Sequence, residues 1–125
     1  MLTLTVMPGA FAICRLAPDA PLPSWAAAGR FFSITRTSEE LSVVCADGDA
    51  PAGVKAEKGW RALKVEGPLE LSAVGIIASL AAPLAAERIS VFVVSTFDTD
   101  YLLVRHESLE AAAAALARAG HRIRT

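Results

Sequence analysis

Six consecutive residues, Ser95-Thr96-Phe97-Asp98-Thr99-Asp100, hold three hydroxyls, two carboxylates and one aromatic ring. They lie between two apolar runs, Val91–Val94 and Tyr101–Val104. They include no Gly, Pro or Asn, the residues that usually form tight hairpin turns. Carboxylates and hydroxyls this close suit recognition of a small cationic group, because a carboxylate accepts charge-assisted hydrogen bonds from ammonium or guanidinium. Asp100 is the candidate for that role, Thr96 offers a hydroxyl, and Phe97 can wall an apolar stem. Asp98 reads as a turn residue, since Asp bonds its own turn backbone well.

The elements that must position this knot follow from pattern. Ile89–Ser95 and Tyr101–Arg105 read as a hairpin around it, and Phe31–Thr37 with Glu40–Cys45 as another. Leu2–Val6 alternates apolar residues with Thr and predicts a strand, ended by Pro8-Gly9. Phe11–Leu16 is a short apolar run. The stretch after it holds Pro18, Pro21 and Pro23 and has room for one helical turn. Val54–Lys58 reads as a short helix and Trp60–Gly67 as a strand. Ser72 is a helix N-cap by type. Ala73, Ile76, Ile77, Leu80 and Leu84 then form one helical stripe, with the isoleucines and leucines in the core. Gly75 falls inside that helix, where Gly costs about 1 kcal/mol relative to Ala, which suggests close backbone approach by a ligand or partner. Pro83 should kink or end the helix. A second helix runs from a Ser108 cap to Gly120, and His121–Thr125 closes as a strand. His106 and His121 read as surface residues at element ends.

From Trp60 onward the order is therefore strand, helix, strand, strand, helix, strand. That is an α+β, ferredoxin-like βαββαβ unit with an antiparallel sheet and both helices on one face. An offset of sixty residues lays Pro8 on Pro68, Pro23 on Pro83, Phe32 on Phe92, Val44 on Val104 and Glu40 opposite Asp100. Two related units follow, residues 1–60 and 61–125, the first with a Pro-rich crossing in place of a good helix.

Bulk properties narrow the function. The chain has 125 residues, 54% hydrophobic, with a net charge of −1. Near-neutrality argues against nucleic acid and anionic membrane as partners, and the apolar content leaves surface for a partner chain. The most apolar long stretch, Val74–Ala86, is too short for a bilayer and holds Pro83. The N-terminus lacks a signal-peptide pattern, so the expected setting is cytoplasmic. Cys14 and Cys45 read as buried free thiols, with no metal-ligand spacing. No phosphate loop or nucleophile elbow occurs, so neither enzyme chemistry nor a cofactor is expected.

The stretch Gly67–Ala112, with its "GI" helix start, "PL" late in the helix and "ISVFVVSTFDTDYLLV", resembles the CASTOR-like tandem ACT-domain proteins. "RTSEELSVVC" resembles the first unit of the bacterial members. The resemblance implies a non-catalytic regulatory module that pairs, as a homodimer, and binds a free amino acid where domains meet. It implies a ligand site of Leu69, Glu70, Ala73, Val74, Gly75, Thr96, Phe97 and Asp100, with Ser90 and Val91 contributed across the interface by the paired domain. Arginine-sensing relatives carry a glycine at the position of Glu70 and an acid at that of Ala73, so arginine itself is not assured. The alternative is a structural dimerisation module that has lost its ligand.

Overall fold

A computed structural model describes residues 1–125 as two compact units, Gly9–Trp60 and Met1–Pro8 with Arg61–Thr125. The sequence placed Met1–Pro8 with the former. Pairing explains the difference. β1 (Thr3–Val6) aligns Leu4 antiparallel to Val65 of β5 (Lys55–Val65) and parallel to Ile123 of β8 (Arg122–Arg124). Leu4 is fully buried there.

The Gly9–Trp60 unit has strand order β3-β4-β2-β5, with β2 at Phe11–Leu16, β3 at Ser33–Arg36 and β4 at Leu41–Ala46. Alternation supplies its core: Ala12 and Cys14 of β2, and Leu41, Val43 and Cys45 of β4, point to one face and meet Ala26. The proline-rich crossing condenses to one 3-10 turn, Ser24–Ala27, because each Pro removes a donor and holds its predecessor extended. Val54–Lys58 is not helical; β5 begins at Lys55. Opposite Phe11 and Ile13 of β2, β5 carries an extra residue at a bulge. Gly59 sits there at φ +80° and donates to Asp47 Oδ1. The bulge disrupts the alternation that marks a strand in sequence.

Cys14 and Cys45 are buried, free and in the same core. Burial, with the neighbouring Cys14, pushes the Cys45 thiol up to about 12, and burial raises Cys14. The folded chain therefore holds these protons where the unfolded chain releases them. Stability should be unaffected below pH ~8.5 and fall from there toward pH ~12. Thermal unfolding against pH should show that loss, with a shallower slope in Cys45→Ala.

The second unit has order β6-β7-β5-β1-β8, with β6 at Phe92–Ser95 and β7 at Asp100–Arg105. Helices α1 (Ile76–Ala86) and α2 (Leu109–Arg118) cover one face. Leu80 and Leu84 of α1 and Ala112, Ala115 and Leu116 of α2 pack on Leu4, Leu63, Val65, Leu102 and Val104. Each fully buried leucine contributes about 1.5–3 kcal/mol. Neither helix is long and apolar enough to cross a membrane. This is the ferredoxin-like βαββαβ arrangement, carried by β5-α1-β6-β7-α2-β8, with β1 added between β5 and β8.

The two hairpins correspond at an offset one residue shorter than the expected sixty. Ser33 pairs Val44 as Phe92 pairs Leu103, which carries 33 to 92 and 44 to 103. A one-residue slip exchanges sheet faces, and only the shorter offset lays the core residues Val43 and Cys45 on Leu102 and Val104. Thr37 thus matches Thr96, and the turns are built alike. Thr37 N–H donates to Glu40 O and Thr96 N–H to Thr99 O, while each Thr hydroxyl accepts from the N–H three residues on. A threonine closes both tips, and Asp98 is not needed for that task.

Candidate functional site

Two segments of the second unit face an open cleft of about 480 Å³. One is the chain entering α1 and the other is the β6–β7 tip. The first follows from local chemistry. After β5, Leu69 N–H donates to Asp98 O at 2.6 Å, which ties the segment to the tip. Gly67 makes this approach possible: a Cβ there would lie 3.0 Å from Leu69 N and 3.1 Å from Asp98 O. Gly67→Ala should therefore push the segment off the tip and cost about 1–3 kcal/mol in urea unfolding, as overpacking does.

Ser72 does not cap α1. The helix starts four residues later, with Gly75 as N-cap at φ +82° and no side-chain cap. Gly75 is therefore outside the helix, and its freedom serves a left-handed turn that side chains rarely adopt. Ile76, Ile77 and Ala78, whose first-turn N–H groups lack intrahelical partners, line the cleft at the positive end of the helix dipole. Ile77 is 38% exposed and lines the cleft instead of the core.

On the other side, Asp100 opens β7 opposite Ser95, whose Oγ donates to Asp100 Oδ1 at 2.6 Å. One carboxylate oxygen is thus held and the other keeps acceptor capacity. The Thr96 hydroxyl is spent on the turn, donating to Thr99 O at 3.1 Å. Phe97 stands 78% exposed, with Leu71 at 69% and Val74 at 94% across the opening.

Leu69, Glu70, Ala73, Val74, Gly75, Thr96, Phe97 and Asp100 all line this cleft, with Ser95 and Ile76–Ala78 beside them. Ser90 and Val91 do not. They precede β6, and Val91 packs against the core. The lining has three carboxylates, Glu70, Asp98 and Asp100, and no Lys, Arg, His or Cys.

Two supporting residues escaped the sequence reading. Thr99 is buried and its Oγ1 donates to Val65 O at 2.5 Å, anchoring the tip to β5. His121 reaches across the unit. Pro83 lies inside α1 and cannot donate to the carbonyl four residues back, that of Ser79. His121 Nε2 takes its place at 3.2 Å, while Nδ1 accepts from Leu2 N–H at 3.1 Å. The pair of bonds requires the neutral ring protonated at Nε2. The signal available in sequence was the intrahelical Pro83, which leaves one carbonyl in need of a donor.

The ACT-domain profile matches residues 55–118, and an N-terminal-domain profile matches residues 9–52. The cytosolic arginine sensor for mTORC1 subunit 1 of Bos taurus is 34% identical over 104 residues, 71% of this chain and 30% of the relative. The chain thus spans under a third of that protein's length. The crystal structure of Atu0741 from Agobacterium tumefaciens superimposes at a TM-score of 0.92 with 43% identity, covering 98% of this chain and 91% of that one. The ligand-free regulatory subunit of aspartate kinase from Thermus thermophilus reaches 0.67 at 15% identity, covering 96% and 99%, and shares the fold.

Proposed function

The chain belongs to the ACT-domain family, and on that premise we propose that it is a non-catalytic sensor that binds a free amino acid in the cleft between the start of α1 and the β6–β7 tip. The observation that carries this reading is the opposition of charge across the cleft. Uncapped N–H groups of Ile76–Ala78 face one side, where a carboxylate is favoured. Asp100, held by Ser95, faces the other, where an ammonium is favoured. An α-amino acid carries both groups on one carbon.

Phe97 and Val74 then flank the side chain, with Leu69 beneath. Glu70 selects a cationic or hydrogen-bonding side chain, and Ala73 leaves room beside it. A paired domain of a second copy covers the exposed Leu71, Val74, Ile77 and Phe97 and presents backbone groups of Ser90 and Val91. The arginine-sensor relative supports a sensing role, and a cytosolic setting belongs to the same proposal. Ligand binding would shift how copies pair, which couples the cleft to a regulated target.

Four large exposed apolar residues at one opening also favour a second reading, a dimerisation module without ligand. Thermal unfolding with each of the twenty amino acids separates the two. A sensor shows a melting temperature that rises with the concentration of one or a few amino acids. A module without ligand shows none at millimolar concentrations.

A further inference from the structure

The second unit holds another cavity, of about 680 Å³, lined by residues of β1 and the Met7-Pro8 pair after it, Arg61 of β5, α2, β8 and Thr125. None of its lining belongs to the amino-acid cleft. Its volume falls within the roughly 300–1,000 Å³ of ligand pockets. Val6, Met7, Leu109, Ala113 and Ile123 make its walls apolar.

Arg61 is the one cationic side chain on this lining, and it is short of acceptors. Its Nη2 makes a long 3.4 Å bond to Met7 O, and its Nε is buried with no hydrogen-bond partner. A guanidinium carries five donors, and leaving one of them, here Nε, buried and unmet is costly. Glu110 also lines the cavity but is exposed in the first turn of α2.

We propose that this cavity is a second ligand site that takes a small carboxylate with an apolar chain, its carboxylate on Arg61 and its chain against Met7, Leu109, Ala113 and Ile123. Apolar walls with one placed charge are the usual composition of a small-molecule site. A carboxylate offers the guanidinium two parallel acceptors. The proposal does not depend on the amino-acid cleft.

The test is a ¹⁵N–¹H NMR titration of the full chain with octanoate and, separately, octanol. Saturable shifts from octanoate are expected at Met7, Ala113 and Ile123 and not at Ile76–Ala78 or Thr96–Asp100. Octanol, with the same chain length and no charge, should bind at least roughly tenfold more weakly, about the weight of one charged contact. Arg61→Met should weaken octanoate by a similar factor and leave octanol unchanged, and Glu110→Gln should strengthen octanoate. No saturable shift at millimolar octanoate, equal binding of octanol, or shifts confined to the amino-acid cleft would overturn the proposal. The octanoate–octanol comparison uses the unaltered chain, so it decides even where Arg61→Met fails to fold.

Discussion

Asp100→Asn is expected to weaken amino-acid binding by thirty- to 150-fold while the protein stays folded. The reason is the charged contact that Asp100 gives the α-ammonium. Ser95 Oγ holds one oxygen of Asp100, the other keeps its acceptor capacity, and the residue lines the cleft. Hydrogen bonds to charged groups are worth about 1.5–3 kcal/mol, and 2–3 kcal/mol corresponds to that change in Kd. Asn keeps the shape and an oxygen for Ser95 but places a neutral amide against the ammonium. The fold should hardly respond, because Asp100 is half-buried at the strand start and contributes nothing to the leucine core. Calorimetry measures the loss, and urea unfolding verifies the intact fold. Glu70→Gln should behave differently, altering which amino acid is preferred more than whether one binds.

His121→Ala should destabilise the protein by about 1–3 kcal/mol, since it takes the partner from two backbone groups, each bond worth about 0.5–1.5 kcal/mol net where water reaches the freed group. These are Leu2 N–H and the Ser79 carbonyl. Ser79 O needs His121 only because Pro83 has no N–H to give. In a Pro83→Ala background the helix can restore its own bond, and His121→Ala should cost clearly less. The double-mutant cycle should therefore show a coupling of about 0.5–1.5 kcal/mol, the net worth of one such bond. His121→Gln should rescue much of the loss, because its carbonyl oxygen can accept from Leu2 and its amide can donate to Ser79. Urea unfolding of the four proteins measures the coupling. An additive cycle would mean that Ser79 O finds another donor.

The success and failure of the sequence reading separate by the range of the forces involved. Helix α2, both hairpins and the βαββαβ order were legible because alternation and helical spacing are local and Leu80, Leu84, Leu102 and Val104 mark their faces. The place of β1 was not, because Thr3–Val6 would alternate identically in either unit and only its pairing with Val65 and Ile123 decides. The sixty-residue offset failed by one position because Val43-Val44-Cys45 and Leu102-Leu103-Val104 are apolar on both faces, so hydrophobicity alone cannot fix parity. Ser72 was a reasonable cap by type, yet Gly75 starts the helix, and the change moves Ile77 from core to cleft. Val54–Lys58 was hidden by the bulge at Gly59.

At the cleft, Leu69, Glu70, Ala73, Val74 and Gly75 came through family resemblance alone, while Thr96, Phe97 and Asp100 also stood out by residue type, and the roles around them sort differently in space. Thr96 was expected to offer its hydroxyl outward, but that hydroxyl closes the turn. Asp98 was expected to cap the turn by its side chain, but its carbonyl receives Leu69 instead. Thr99, read as nothing in particular, pins the tip through Val65. Such tertiary bonds leave no periodic mark.

The proposed seat of a free amino acid lies between the first turn of α1 and the β6–β7 tip. A ¹⁵N–¹H NMR titration of the full chain, with the amino acid that raises its melting temperature most, reads that position residue by residue. Saturable shifts are expected at the Ile76–Ala78 amides and at Thr96–Asp100, both lost in Asp100→Asn. Saturable shifts elsewhere with these amides unmoved, or no saturable shift from any of the twenty amino acids at millimolar concentration, would contradict it.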